Sequence, residues 1–253
     1  MKTTKKGPKV FGLSIGRCGT LSMCEALEFL FGGKCFHFHR VLLTNEHLIM
    51  LSKATKGEDD TNDWVSLLEG YHAAVGSPFA GYWHILKDIY PDAKVILLWR
   101  DGESWYQSFS KALFPTFRYH GTLSYHLLYY TWPKVYIRMP FYIKLYGRLL
   151  GTDFLVCDKK ELIRRFEAYY QALKLELHSH NIPVYIHKLG DGWPELCKFL
   201  EVPIPDGTPF PRTRTKDTTV VPRFLRRQQT FIYMFLSSTA IVLIACIFLA
   251  IFQ

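Results

Sequence analysis

The stretch that decides the fold is Lys9-Val-Phe-Gly-Leu-Ser-Ile-Gly-Arg-Cys-Gly-Thr-Leu-Ser22. Its apolar start, Val10–Ser14, predicts a buried β-strand, and the glycines that follow predict a tight turn. We expect a helix to begin near Thr20, so that its positive N-terminal end and the N–H groups of the turn face one point. This order favours a phosphate-binding loop. The alternative is a tight strand-to-helix connection that binds nothing.

The loop also carries side chains suited to an oxyanion. Arg17 can donate a two-pronged hydrogen bond to such a group. The hydroxyls of Thr20 and Ser22 can cap the helix or bind a phosphate oxygen. The loop is not a Walker A motif, because Gly19 precedes Thr20 and the motif's lysine is missing. The sequence therefore disfavours a nucleoside triphosphatase.

A second stretch of this kind lies about 80 residues further on, Lys94-Val-Ile-Leu-Leu-Trp-Arg-Asp-Gly-Glu-Ser-Trp-Tyr-Gln-Ser108. Val95–Trp99 predicts a buried strand, and Arg100 follows at its carboxyl end, where open α/β sheets bind ligands. Ser108 comes eight residues after Arg100, on a predicted helix, so both side chains can approach one phosphate. The alternative is that Arg100 pairs with a neighbouring acidic side chain and Ser108 faces solvent.

Apolar strands alternate with helical patterns along most of the chain. This alternation predicts an α/β fold with a parallel sheet covered by helices on both faces. The predicted strands are Val10–Ser14, Cys35–Phe38, Ala73–Val75, Val95–Trp99 and Val184–His187. The predicted helices are Thr20–Leu30, Glu46–Ala54, Asp63–Leu68, Phe79–Tyr90, Glu103–Leu113, Lys160–His178 and Trp193–Leu200.

Length and charge limit the class of protein. The chain has 253 residues and a formal net charge of +9. Its basic excess favours an anionic partner, although a solvated basic surface explains it equally well. We divide the chain into a basic arm (1–8), one α/β domain (9–212) with a helical aromatic insert near 114–150, a basic linker (213–229) and an apolar segment (230–252).

The apolar segment Thr230–Phe252 has 23 residues without a charge. As a helix it would span about 34 Å, enough for a bilayer core. Arg223, Arg226 and Arg227 precede it, which by the positive-inside rule puts the preceding domain in the cytosol. We therefore expect a single-pass C-terminal membrane anchor.

Together, the two anion-binding stretches resemble those of sulfotransferases that use 3′-phosphoadenosine 5′-phosphosulfate (PAPS). Arg-x7-Ser after a buried strand looks like their 3′-phosphate site. Gly16-Arg-Cys-Gly-Thr-Leu-Ser22 looks like their 5′-phosphosulfate loop, with Arg17 where many members have lysine. More narrowly, the chain resembles the P-loop-type sulfotransferase-like family. The shared pieces are Gly16-Arg-x-Gly-Thr-x-Ser22, Tyr90-Pro-Asp-Ala-Lys-Val-Ile-Leu97, Arg100-Asp-x-Glu-Ser-Trp105, Asp191-Gly-Trp-x-x-Leu-Cys-Lys-Phe-Leu200, Val202-Pro-Ile-Pro-Asp206 and Pro209-Phe-Pro211.

The resemblance implies a three-layer, P-loop-type parallel sheet, PAPS as the co-substrate and no metal. It also implies roles for single residues. Arg17 would stabilise charge on the leaving phosphate, which makes it the one catalytic residue that we assign. Arg100 and Ser108 would bind the 3′-phosphate. The residues that would hold the 5′-phosphosulfate are Gly16, Arg17, Cys18, Gly19, Thr20, Leu21 and Ser22.

One position departs from the family pattern. Sulfotransferases need a base that takes the proton of the acceptor, and in the family it is a His or Asp just after the third strand. This chain has Ala73-Ala-Val-Gly-Ser-Pro78 there, with Gly76 where the acid group is expected. His72 and His84 lie nearby in sequence, but such histidines more often pack or face solvent. The base therefore stays unassigned.

We predict a membrane-tethered, sulfotransferase-like protein that transfers a sulfuryl group from PAPS to an unknown hydroxyl or amine acceptor. The alternative is a non-catalytic nucleotide-binding or scaffold protein of the same fold. The expected partners are a nucleotide, the acceptor and a membrane, and no nucleic acid is expected.

Overall fold

The computed structural model describes residues 7–38, 44–119 and 133–213, together with Met234. Within these ranges, five parallel strands form one sheet in the order β2-β3-β1-β4-β5. The strands are β1 (Val10–Leu13), β2 (Cys35–Phe36), β3 (Ala73–Val75), β4 (Lys94–Trp99) and β5 (Val184–Lys188). The predicted parallel α/β sheet is thereby confirmed, with strand ends that differ by one or two residues.

The central strand β1 decides where a site can form. It pairs with β3 on one side and with β4 on the other, in the registers Gly12↔Val75 and Gly12↔Ile96. All four residues of β1 are buried. Because alternate residues of a strand face opposite sides of the sheet, both sides must be covered, as a parallel sheet requires. Since β3, β1 and β4 are parallel neighbours, the loops that follow them meet at one edge of the sheet.

Ten helices surround this sheet in the described ranges. They are α1 (Thr20–Phe31), α2 (Asn45–Lys56), α3 (Thr61–Leu68), α4 (Ser77–Gly81), α5 (Trp83–Ile89), α6 (Gly102–Ala112), α7 (Phe114–Tyr119), α8 (Pro133–Leu150), α9 (Lys159–Ser179) and α10 (Trp193–Leu200). The predictions named most of them with small shifts at their ends. The exception is the helix predicted over Phe79–Tyr90, which is two helices.

Tyr82 separates these two helices. Its backbone has φ −115° and ψ 19°, outside the helical region. Its hydroxyl donates to the carbonyl of Ala54 over 3.0 Å, and its ring packs against Trp64 with centroids 4.8 Å apart. These tertiary contacts outweigh a helical pattern that runs through residue 82 without a break. The helix also begins earlier than predicted because Pro78 suits a first helical turn.

The aromatic insert is helical, as predicted, over Phe114–Tyr119 and Pro133–Leu150. The residues between these helices lie outside the described ranges. Near its end, α8 buries Phe141, Leu145 and Tyr146 in the core of the domain. The insert therefore contributes to the domain core in this part.

An irregular segment, residues 202–213, follows α10 and crosses back over the domain. We call it the strap. Phe210 of the strap stacks on His187 with ring centroids 5.3 Å apart and meets Trp193 at 4.8 Å. The indole of Trp193 donates to the carbonyl of Thr208 over 2.8 Å. At its end the strap contacts α1, which places it beside the loop after β1.

The predicted fold class needs one correction, because it included a C-terminal transmembrane helix. Among the described residues, no helix combines the length and the apolar character needed to cross a bilayer. The segment Thr230–Phe252, on which that prediction rested, lies outside the described ranges apart from Met234. The fold class is therefore an α/β fold with a parallel sheet and helices on both faces.

Candidate functional site

The loop between β1 and α1 opens a helix whose N-terminus has no side-chain cap. Gly19 is the N-cap residue of α1, and the first turn of this helix contains no acidic side chain. Four other helices begin differently, because a side chain accepts hydrogen bonds from their first N–H groups. Those caps are Thr44 for α2, Asp60 for α3, Asp101 for α6 and Asp158 for α9. The uncapped N–H groups of α1 suit an external anion.

Arg17 joins the two anion-binding stretches. Its Nε donates a hydrogen bond of 3.0 Å to Oγ of Ser108, across 91 residues of sequence. Arg17 has φ 83°, an uncommon backbone conformation for a residue with a side chain. Such strain is characteristic of functional loops. The structure therefore brings Arg17 and Ser108 together, and the sequence had assigned them to different phosphates.

Arg100 lies at the end of β4, next to the same loop. Its Nη1 donates to the carbonyl of Arg17 over 3.0 Å, and its Nε donates to Oγ of Ser104 over 2.6 Å. These bonds use two of the five N–H groups of a guanidinium. Arg100 thus contacts the hydroxyl of Ser104, whereas the hydroxyl of Ser108, one helical turn further on, contacts Arg17.

The acidic neighbours of Arg100 have other partners, so the alternative pairing is not observed. Asp101 accepts from the backbone N–H of Ser104 and caps α6. Glu103 forms an ion pair with Lys159. Ser108 is half-buried and does not simply face solvent. Neither of these two carboxylates therefore pairs with Arg100 beside the loop.

The electrostatics of the loop favour an anionic ligand. Burial lowers the pKa of Arg17, and the nearby positive charge of Arg100 acts in the same direction. Two guanidinium groups held close together repel each other, and a bound anion would offset this repulsion. The uncapped helix N-terminus of α1 adds a partial positive charge of the same sign.

The remaining candidate residues of the loop have different surroundings. Oγ1 of Thr20 is 3.0 Å from Nε2 of His37. Oγ of Ser22 accepts from the backbone N–H of Thr213 in the strap over 3.1 Å. Burial raises the pKa of the Cys18 thiol to about 12, so this thiol stays neutral. Leu21 is half-buried in the first turn of α1. The hydroxyl of Ser22 thus contacts the strap as an acceptor and keeps its own O–H as a donor.

Gly16 is required because other groups crowd it. A Cβ at this position would lie 2.5 Å from Oη of Tyr146 and 3.4 Å from Oγ of Ser77. The indole N–H of Trp105 donates to the carbonyl of Gly16 over 3.1 Å. Burial also raises the pKa of Tyr146, so its phenol stays protonated. Side chains from three separate helices therefore hold the loop in place.

Sequence reasoning missed these supporting side chains. Trp105 stands inside the shared piece Arg100-Asp-x-Glu-Ser-Trp105, which is the signal that could have found it. Tyr146 lies in the insert, and no local pattern distinguishes it from the many other tyrosines there. Oγ of Ser77 lies 3.2 Å from Oη of Tyr146, in a buried contact across 69 residues of sequence.

Gly76, at the position after β3 where the family has its base, has a backbone conformation that suits glycine alone. Gly76 has φ 130° and ψ −178°, a conformation that is essentially restricted to glycine. Its N–H donates to the carbonyl of Gly12 over 2.9 Å, which fixes this conformation in the sheet. A Cβ at Gly76 would find its nearest neighbours at 3.8–4.0 Å, in Pro78 and His37. Backbone geometry, not lack of room, excludes an acid here.

The two histidines near this position in sequence lie elsewhere. His72 precedes β3, at the edge of the sheet opposite the loop, and its ring lies against Gly33. His84 is exposed on α5. His37, which the sequence analysis did not consider, is the histidine beside Gly76. His37 follows β2 directly, because this strand ends at Phe36 and not at Phe38 as predicted.

In the described part of the chain, no three His, Cys, Asp or Glu side chains are grouped so that they could hold a metal ion. The expectation that the reaction needs no metal stays a prediction. The site as described consists of two arginines, an uncapped helix N-terminus and hydroxyl groups. This is a donor set for phosphate or sulfate groups.

Comparisons with known proteins identify the family of this chain. A family model described as "Sulfotransferase domain" matches residues 9–219. Among curated proteins, Ava biosynthesis cluster protein M of Aspergillus versicolor is 25% identical over 227 residues, which cover 84% of this chain and 83% of that protein. Among solved structures, a sulfotransferase from Alicyclobacillus acidocaldarius is 16% identical with a TM-score of 0.36, and the match covers 87% of this chain and 92% of that one. Because the family match extends over more than half of the sequence, this chain belongs to the family of proteins with a sulfotransferase domain.

Proposed function

We propose that this protein transfers a sulfuryl group from PAPS to a hydroxyl or amine of an acceptor. The observation that carries the proposal is the meeting of the two anion-binding stretches. Nε of Arg17 contacts Oγ of Ser108, and Nη1 of Arg100 contacts the carbonyl of Arg17, each over 3.0 Å. PAPS carries two separate anionic groups on one nucleotide, which fits two arginines at one edge of the sheet.

In this proposal, the roles follow from the positions of the side chains. The uncapped start of α1 and the guanidinium of Arg17 bind the 5′-phosphosulfate, and Thr20 adds its hydroxyl. Arg100 and Ser108 bind the 3′-phosphate. Arg17 also stabilises the charge that develops on the leaving phosphate oxygen, since its guanidinium belongs to the loop that holds the phosphosulfate. Oγ of Ser22 accepts from the N–H of Thr213 in the strap, and its O–H can still donate to the phosphosulfate.

A second function deserves a test because Gly76 replaces the family's acid group. A protein that binds the nucleotide without turnover would keep the arginines and lose the base. Binding and transfer must therefore be measured separately.

We expect adenosine 3′,5′-bisphosphate (PAP) to raise the melting temperature of the full-length chain, and ATP with Mg²⁺ to raise it less. PAP has the 3′-phosphate that Arg100 would bind, whereas ATP lacks it. A ligand at 100 times its Kd stabilises a protein by about 2.7 kcal/mol, which a thermal melt resolves easily. Equal or greater stabilisation by ATP with Mg²⁺ would rule out the proposed donor.

Arg100→Ala should remove the preference for a 3′-phosphate. Hydrogen bonds to charged groups contribute about 1.5–3 kcal/mol, so we expect PAP to bind about 10- to 100-fold more weakly. Binding of adenosine 5′-monophosphate, measured in the same titration calorimeter, should fall less, because Arg100 contacts the 5′ loop only through the carbonyl of Arg17. Arg164→Ala is the matched control, because it removes the same charge from an exposed position on α9. Equal losses in both variants would assign the effect to net charge and not to a 3′-phosphate contact.

A further inference from the structure

The reaction proposed above needs a base, and the backbone at Gly76 excludes an acidic side chain there. We propose that His37 is this base, and that its Nε2 takes the proton of the acceptor. The inference rests on the proposed function, because a base has a role only where a sulfuryl group is transferred. It differs from the family pattern, in which the base follows the third strand. Here it follows β2, the neighbour of that strand.

The sheet explains how a residue from β2 reaches this place. β2 runs parallel to β3, with Cys35 opposite Ala73 and Phe36 opposite Ala74. His37 therefore comes directly after β2, at the same edge of the sheet at which Gly76 follows β3. Nε2 of His37 lies 4.0 Å from the point where a Cβ of Gly76 would stand. The imidazole thus adjoins the space into which a side chain at position 76 would extend.

The contact of His37 with the loop places its nitrogen near the donor. Nε2 is 3.0 Å from Oγ1 of Thr20, and Thr20 is the first residue of α1. The uncapped end of this helix is where the phosphosulfate would bind. Nε2 of His37 is therefore within hydrogen-bond distance of the first residue of the helix at which the phosphosulfate would bind. His37 is 9% exposed and therefore lies largely buried beside the loop.

The chemical step balances with these groups alone. The acceptor oxygen or nitrogen forms a bond to sulfur while its proton moves to Nε2 of His37. The bond between sulfur and the 5′-phosphate oxygen breaks, and its electron pair leaves with PAP. The guanidinium of Arg17 stabilises the negative charge on that oxygen. His37 then returns its proton to solvent, and no further reactant is needed.

The contact with Thr20 also suggests a purely structural role for His37, and the variants must separate the two. Glutamine can keep a hydrogen bond to Oγ1 of Thr20 but cannot take up a proton near neutral pH. His37→Gln therefore removes the base and preserves the contact. His84→Gln is the matched control, because His84 is exposed and lies outside the loop.

The assay follows the release of radiolabelled sulfate from PAPS by the full-length chain, with water as the acceptor, so that no natural acceptor has to be known. We expect His37→Gln to lower this rate about 100- to 10 000-fold, the usual contribution of a general base. The Kd of PAP should stay within about threefold of the wild-type value, since binding does not need the base. His84→Gln should match the wild type in both measurements. Imidazole added to His37→Ala should restore part of the rate.

Results other than these would contradict the base, or the proposed function as a whole, as follows. A His37→Gln variant as fast as the wild type would refute the base, as would a loss of PAP binding equal to its loss of rate. Wild-type protein that binds PAP but releases no sulfate above the background of PAPS in buffer would refute the base and leave the nucleotide site standing. Wild-type protein that does not bind PAP would refute the proposed function itself.

Discussion

Arg17→Ala should lower kcat for sulfuryl transfer by about 100- to 1000-fold, the usual effect of removing one donor that stabilises developing charge. Arg17 is half-buried in the loop after β1, and burial raises the strength of its interaction with an anion. The side chain also donates to Ser108 of the second stretch, so its loss separates the two halves of the site. The measurement is the rate of PAP formation at saturating PAPS, with PAP binding determined in parallel.

Arg17→Lys is the informative partner of this variant, because many members of the family have lysine at the corresponding position. Both replacements keep a Cβ at φ 83°, so the backbone strain stays the same and the melting temperature should change little. Lysine restores the charge but not the two-pronged geometry. We expect it to recover most of the lost rate. An alanine variant that turns over as fast as the wild type would remove Arg17 from the mechanism.

Trp105→Ala should lower the free energy of unfolding by about 3–5 kcal/mol, the usual range for a buried Trp replaced by Ala. The indole is fully buried and stacks on Phe166 and Phe109 with ring centroids 4.3 and 4.8 Å apart. Its N–H also holds the carbonyl of Gly16. One substitution thus opens a cavity between α6 and α9 and releases the anion-binding loop. Urea denaturation followed by circular dichroism measures the change in the free energy of unfolding.

Trp105→Phe separates the two contributions. Phenylalanine can keep the stacking with Phe166, but it leaves the carbonyl of Gly16 without its donor, at a cost of about 1–3 kcal/mol. We expect this variant to remain folded at 25 °C and to bind PAP more weakly than the wild type. A phenylalanine variant with full affinity for PAP would show that the indole stabilises the domain without shaping the loop.

The strand, turn and helix that form the candidate anion site could be predicted from sequence because their signals are local. An apolar strand, glycines and a helix start lie within Lys9–Ser22, and backbone geometry translates such a pattern directly into structure. The same holds for β4 and Arg100. Parallel pairing then brings the two stretches together without any further information, since the ends of β1 and β4 share one edge of the sheet.

The contacts that complete the site could not be predicted, because they join distant segments. Tyr146 meets the loop from the insert, and Thr213 meets it from the strap. His37 was missed for a different reason: an apolar run through Phe38 predicted a longer strand, which would have made His37 one of its interior residues. The structure ends β2 at Phe36, and this difference of two residues moves His37 to the edge of the sheet.

The hydrogen bond between the strap and α1 has a consequence for the synthesis of this protein. The N–H of Thr213 and Oγ of Ser22 are 191 residues apart in sequence. At about 5–20 residues per second, a ribosome needs on the order of 10–40 s to add the residues between them. During that time the emerging chain already contains β1 and the anion-binding loop, but not the strap that braces α1. The loop that comes first in the sequence is therefore among the last parts of the site to reach its final form.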